Sequence, residues 1–258
     1  MQSRVFITGA ASGIGRATAR LFAARGWQVG ICDRDAAALA AVRQEFGTDA
    51  ARVYPCDVLD ADALRAALID FCGGAAAGLD LLVNNAGVLR VGPFEEMPPA
   101  DHRQLIEVNS RGVVEVLLAA FPMLQGARGR VVNLSSASAE YGTPDFATYA
   151  ASKMFVRGLS EALDIEWRRH GIRIACIMPA FVATPMIAGR RTHAMDRLGV
   201  ELTAEDVAEV VWRAAHGRRL MWHVGTRYRW LRALSKPLPG GIKRAIMRRI
   251  SGYPGRPQ

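Results

Sequence analysis

The sequence predicts a single doubly wound α/β domain, a parallel β-sheet with helices on both faces. Three observations carry that expectation. Short β-branched, apolar runs alternate with longer helical stretches through most of the chain. Runs such as Leu79-Asp80-Leu81-Leu82-Val83 are almost wholly apolar, as strands covered on both sides should be. A glycine-rich turn joins the first run to the first helix. With 258 residues, 50% of them hydrophobic and 22% charged, the chain can bury one sizeable core. That composition excludes a disordered chain, a collagen-like fibre and a disulfide miniprotein.

Taken in order, strands are expected at residues 4–8, 28–32, 52–55, 79–84, 130–134 and 173–177, with a further one at 220–224. Helices are expected at residues 15–24, 36–46, 61–71, 101–124 and 148–170. No internal repeat or long linker interrupts the series. The least regular parts are Pro179–Gly199 and everything after Arg218. Segments of that kind often form substrate loops and partner surfaces.

The turn Thr8-Gly9-Ala10-Ala11-Ser12-Gly13-Ile14-Gly15 follows the first strand. Glycine lets backbone turn sharply and approach a ligand, and the next helix aims free N–H groups and its positive dipole end at the gap. A pyrophosphate fits there. The spacing G-xxx-G-x-G differs from the commoner G-x-G-x-x-G, and an ordinary strand-to-helix turn would look alike. At the end of the second strand, Asp33 stands where an adenosine ribose would lie, which favours NAD over NADP. Arg34 beside it could instead hold a 2′-phosphate, and Asp33 could simply cap the following helix.

Further along, Asn84-Asn85-Ala86-Gly87 closes the fourth strand, Ser135-Ser136 closes the fifth, and Tyr149-Ala150-Ala151-Ser152-Lys153 lies in the next helix. With the glycine turn, these motifs in this order resemble the short-chain dehydrogenase/reductase family over about Arg4–Thr184. The resemblance implies a Rossmann-type sheet and reversible hydride transfer between a nicotinamide cofactor and an alcohol or carbonyl.

Tyr149 and Lys153, four apart, share a helix face. A nearby ammonium and an oxidised nicotinamide should both make the phenol more acidic than its free value of about 10. The resemblance makes Tyr149 the general acid/base. Lys153 would hold the nicotinamide ribose, and Ser136, with Ser135 and Ser138 as alternatives, would hydrogen-bond the substrate oxygen. Asn109 would hold a water in a proton relay, or bend its helix and bind backbone.

For the cofactor, the resemblance adds Gly9, Ser12, Gly13, Ile14 and Gly15 in the loop, then Asp57 and Val58 near the adenine. Asn85, Ala86 and Gly87 would lie by the ribose, and Pro179, Val182 and Thr184 at the nicotinamide amide. Ala180 replaces the family's usual glycine. Rival readings are an NADP-dependent carbonyl or 3-oxoacyl thioester reductase and a non-catalytic dinucleotide-sensing regulator.

The segment from Phe181 to Val200 carries Phe181, Met186, Ile187, Met195 and Leu198, with Arg190 and Arg191 between. It is expected to cover an apolar substrate such as a steroid, retinoid or fatty-acyl chain, or to be a lid packed on the body by the same residues. Residues 1–209 hold every acidic side chain and a net charge of −3, whereas residues 210–258 hold 12 basic residues and none acidic. The chain therefore divides into a catalytic body, residues 1–226, and a basic amphipathic extension, residues 227–258. Its Ile242, Ile246 and Ile250 recur every four residues among Lys243, Arg244, Arg248 and Arg249.

That extension suits an anionic membrane surface, or else a helix over the cleft or at a subunit interface. Nucleic acid is not expected as a partner, because the body is slightly acidic. The five histidines show no ligand spacing, so no metal is expected. A homodimer or homotetramer follows from the resemblance. Four scattered cysteines, no uninterrupted apolar run of about 18 residues and no space for a signal peptide point to a cytoplasmic protein, with peripheral membrane contact as an option.

Overall fold

The computed structural model describes residues 2–74, 77–190 and 192–253, so Arg191 of the substrate segment and residues 254–258 of the extension lie outside the described residues. Seven strands alternate with helices: β1 (Arg4–Thr8), β2 (Gln28–Asp33), β3 (Ala51–Pro55), β4 (Leu81–Asn84), β5 (Arg130–Leu134), β6 (Arg173–Pro179) and β7 (Met221–Val224). They form one sheet in the order β3-β2-β1-β4-β5-β6-β7, every pair parallel. Successive side chains of a strand go to opposite faces. Val5 and Ile7 accordingly enter one core, with Leu81, Val83 and Val132, while Phe6 enters the other, with Leu82 and Val131. That double burial is why these runs carry so few polar residues.

The helices are α1 (Gly13–Ala24), α2 (Ala36–Ala50), α3 (Ala61–Cys72), α4 (Pro99–Ile106), α5 (Gly112–Ala127), α6 (Ala147–Glu166), α7 (His193–Leu198), α8 (Ala204–His216), α9 (Thr226–Ser235) and α10 (Gly240–Ser251). Three differ from expectation. The stretch 101–124 is not one helix: a π-turn over Glu107–Arg111 separates α4 from α5. The end of the stretch 148–170 tightens into a 3-10 turn over Trp167–His170. Helix α8 was not anticipated, although its signals are in the sequence. Thr203 and Asp206 form a reciprocal capping box, and Val207, Val210, Val211, Ala214 and Ala215 make a buried stripe. It packs against α1 and closes the sheet's first face.

The extension is helical and docked. Residue 226 begins α9, so the expected boundary falls at a helix start. Arg232 pairs with Glu140 at 2.7 Å, Tyr141 and Ser235 share a 2.5 Å hydrogen bond, and Tyr253 donates to Asp145 at 2.6 Å. Among the described residues, no helix is long and apolar enough to cross a membrane.

Candidate active site

The strand order reverses between β1 and β4, which opens a crevice beyond the C-terminal ends of the strands. Two adjoining cavities occupy it. The first is lined by the glycine turn, by Asp33 and Arg34 at the end of β2, by Asp57 and Val58 after β3, and by Asn85, Ala86 and Gly87 after β4. The second lies over β5 and β6, and Ile14, Asn85, Gly87, Val88, Thr184 and Met186 line both.

Backbone geometry makes the first cavity a cradle. Gly9 (φ +63°) and Gly13 (φ +52°) sit in the left-handed region. A Cβ on Gly9 would meet Ala86 Cα at 2.7 Å, and one on Gly15 would meet the Gly9 carbonyl oxygen at 2.3 Å. Gly15 is the one cofactor candidate that lines neither cavity. It acts by letting α1 close onto the turn. The first turn of α1 has no acidic residue, and its N-cap, Ser12, makes no side-chain cap. Its leading N–H groups are therefore left for an anion.

Asn85 clamps the turn: its amide donates to the carbonyls of Thr8 (2.9 Å) and Gly9 (3.0 Å). Asp33 accepts from the N–H groups of Ala11 (3.0 Å) and Asp35 (3.1 Å). It does not cap α2, a task that falls to Asp35. Asp57 accepts from Leu59 N–H at 3.0 Å. Arg34 is exposed, with no carboxylate partner among the described residues.

In the second cavity, Ser136, Tyr149 and Lys153 come together. Lys153 is 5% exposed, and its ammonium lies 5.9 Å from the Tyr149 ring centre. Its Nζ donates to the Leu134 carbonyl at 2.9 Å. The candidate serines separate cleanly. Ser135 Oγ donates to the Lys153 carbonyl at 2.8 Å, so it is a helix-to-strand tie. Ser138 Oγ is buried without a partner among the described residues, and Ser136 faces Tyr149.

Burial pushes the Tyr149 phenol up to about 12, with Ser136 pulling the other way, and draws the Lys153 ammonium down to about 8. Among the protein's own groups, burial is the largest influence on the phenol, and the Lys153 ammonium is turned to the Leu134 carbonyl.

Asn109 lies outside both cavities and is fully buried at the π-turn. Its amide accepts from Val88 N–H (2.8 Å) and donates to Val88 O (2.9 Å). The backbone-binding role is thus the visible one. Gly87 leaves the gap beside it: a Cβ there would lie 3.2 Å from Asn109 Oδ1 and 3.5 Å from Lys153 Nζ.

Pro179, Val182 and Thr184 line the second cavity, and Thr184 abuts Gly13. The methyl of Ala180 fits because the residue facing it is Gly225, where a Cβ would lie only 3.1 Å away. Of the substrate segment, Phe181, Met186, Ile187 and Leu198 line the cavity. Met195 does not: it packs with Leu89, Phe146 and Ala194, fixing α7. Arg190 is half-buried and donates to the Met186 carbonyl.

From the extension, Arg227, Tyr228, Leu231 and Met247 line the cavity, as a helix over the cleft would. No local spacing announces them, since only docking of α9 and α10 brings them in. Among the described residues, no group of three His, Cys, Asp or Glu side chains could hold a metal.

A family profile described as short chain dehydrogenase matches residues 3–194. A D-threitol dehydrogenase of Mycolicibacterium smegmatis is 36% identical over 183 residues, 70% of each chain. A serine 3-dehydrogenase of Rhizobium radiobacter is 33% identical over 228 residues, 85% of this chain and 91% of that one. The crystal structure of a 3-ketoacyl-(acyl-carrier-protein) reductase from Brucella melitensis, complexed with NADH, superposes with a TM-score of 0.78 at 29% identity. That match covers 88% of this chain and 98% of the reductase. With a parallel seven-stranded sheet, a glycine cradle, and Ser136, Tyr149 and Lys153 at one cavity wall, this chain belongs to the short chain dehydrogenase family, the NAD(P)-dependent oxidoreductases of alcohols and carbonyls.

Proposed function

We propose that this protein moves a hydride between NAD(H) and a secondary alcohol or ketone held in the second cavity. The observation that carries the proposal is the meeting of Ser136, Tyr149 and Lys153 where the dinucleotide cradle opens into an apolar chamber. When bound, the nicotinamide supplies or accepts the hydride. Tyr149 gives a proton to the carbonyl oxygen in reduction and takes it back in oxidation. Ser136 donates a hydrogen bond to the same oxygen. Lys153 holds the nicotinamide ribose, and Asn109 keeps Val88 in place beside both cavities.

The glycine turn carries the pyrophosphate, Asp57 and Val58 flank the adenine, and Asp33 takes the ribose hydroxyls. A 2′-phosphate would meet the Asp33 carboxylate at close range, which favours NAD. Arg34 at the rim is the residue that would serve NADP. Asp33→Ser is expected to shift the ratio of kcat/KM for NAD over NADP by about 100-fold toward NADP, since removing one repulsive charge is worth a few kcal/mol. Steady-state kinetics with both cofactors checks this, and an unchanged ratio refutes the assignment.

The substrate we infer is apolar, of steroid, retinoid or fatty-acyl type. Val88, Leu89, Phe146, Phe181, Leu231 and Met247 wall the chamber, while Ser138 Oγ is a buried polar atom with no partner among the described residues. Most of the lining is apolar, although Tyr141, Thr143, Glu201 and Arg227 also reach it, and against the apolar part a small polyol would leave hydroxyl groups unpaired. The relatives named for polyols do not decide the matter. The match to the D-threitol dehydrogenase spans 183 residues of this 258-residue chain, and part of the chamber is built by the extension. A panel of long-chain, steroidal and sugar alcohols is the test. Turnover confined to sugars and polyols would reject the apolar reading and leave the hydride-transfer proposal standing. Family members form oligomers, and the exposed Leu118 of α5 and Ile165 of α6 offer an apolar face for a homodimer or homotetramer.

A further inference from the structure

The extension encloses the chamber with one face and shows the solvent another. On α9, Tyr228, Leu231, Arg232 and Ser235 point inward. Trp230 (66% exposed) and Leu234 (69% exposed), four apart and therefore neighbours, point outward. On α10, Met247 reaches the chamber, while Ile242 (48% exposed) lies on the outer side with Arg244, Arg248 and Arg249. A solvated surface helix hides its large apolar residues and shows its polar ones. Here α9 buries Tyr228 but leaves two large apolar residues, Trp230 and Leu234, in the open.

The charge is equally one-sided. Residues 210–258 carry 12 basic and no acidic side chains. Arg227 and Arg232 are satisfied by Glu201 and Glu140. Arg229, Lys236, Lys243, Arg244, Arg248 and Arg249 have no carboxylate partner among the described residues. With a body of net charge −3, the molecule is polarised so that an anionic surface would attract the extension first. An indole and two aliphatic side chains amid unpaired cations match the boundary of a bilayer. There apolar groups enter below the headgroups and cations meet phosphates.

We propose that α9 and α10 dock this protein peripherally on an anionic lipid surface. Trp230, Leu234 and Ile242 insert, and the unpaired arginines and lysines lie against the headgroup phosphates. The same helices roof the chamber, so docking sets the chamber beside the phase into which a lipophilic substrate partitions. That last consequence rests on the apolar-substrate reading; the docking itself does not.

The test is co-sedimentation of the full chain with phosphatidylcholine vesicles, with and without phosphatidylglycerol, at low and raised salt. It is repeated with the triple variant Trp230→Ser, Leu234→Ser, Ile242→Ser. Light scattering and turnover of a water-soluble alcohol are measured in parallel. Expected are binding to the anionic vesicles alone, weakening with salt, and a loss of about tenfold or more in the variant with soluble turnover retained. Absence of binding, equal binding to neutral vesicles, or equal binding by the variant overturns the proposal. So does a variant that changes the oligomer's mass, because the face would then be an interface between copies. None of the binding and mass readouts depends on which substrate the enzyme prefers, so failure here is distinct from failure of the substrate panel.

Discussion

Tyr149→Phe is expected to lower kcat by roughly a thousandfold while leaving dinucleotide affinity nearly unchanged, because a general acid/base of this kind contributes on the order of 10²–10⁴. The change removes one oxygen from the wall of the second cavity and nothing from the cradle that holds the pyrophosphate and adenosine. Nicotinamide fluorescence titration should therefore give a dissociation constant within about twofold of wild type, by the logic that separates binding from transition-state terms.

The pH profile adds a sign. Burial places the phenol at about 12, so at neutral pH it is protonated, the form that donates to a carbonyl. Alcohol oxidation needs the phenolate and should speed up as pH rises, while carbonyl reduction should slow at the alkaline end. The phenylalanine variant should lose this opposed dependence. A variant that kept more than a tenth of the activity would remove Tyr149 from the chemistry.

Lys153→Met is expected to abolish turnover and, at neutral pH, to make the fold more stable. The ammonium is 5% exposed, and burial draws its pKa from 10.5 to about 8. A displacement of that size corresponds to roughly 3 kcal/mol against the charged form in the folded state. Methionine has a similar shape without the charge, but it leaves the Leu134 carbonyl without the 2.9 Å donor. That loss costs about 1 kcal/mol.

The net gain of about 2 kcal/mol should raise Tm by roughly 4–8 °C for a chain of this size. The folded-state pKa is depressed, so wild type recovers stability as pH climbs from the folded value toward the unfolded one. The advantage of the variant should therefore be full below pH 8 and fade as pH nears 10.5. Thermal unfolding at several pH values reads both parts. A lower Tm in the variant at pH 7 would show that the ammonium contributes more through its hydrogen bond than it loses to burial.

Much of the site could be read before the fold was known. The apolar runs became strands within a residue or two because both faces of the sheet are buried, and period-2 alternation into two cores leaves little freedom. The cradle glycines could be picked out because a side chain at Gly9 or Gly15 collides with backbone. Other features were harder. The π-turn at Glu107–Arg111 leaves no mark in apolar spacing, since one extra residue per turn only shifts the register of two helices that look continuous. Helix α8 is a different case: its capping box and apolar stripe are local signals, but they follow directly on the irregular segment that ends near Gly199.

Residue types at short, fixed separations are enough to specify the layered sheet, the dinucleotide cradle and the Tyr149–Lys153 pair. Long-range packing set the rest. Desolvation, which depends on everything packed around a group, is the protein's own largest influence on the phenol. Ser135, Ser136 and Ser138 were told apart only by what each side chain touches. The substrate chamber takes part of its wall from Arg227, Tyr228, Leu231 and Met247, which come from the far end of the chain. Contacts between residues so distant in sequence arise from docking of whole helices, and no local pattern of amino acids encodes where a docked helix will point.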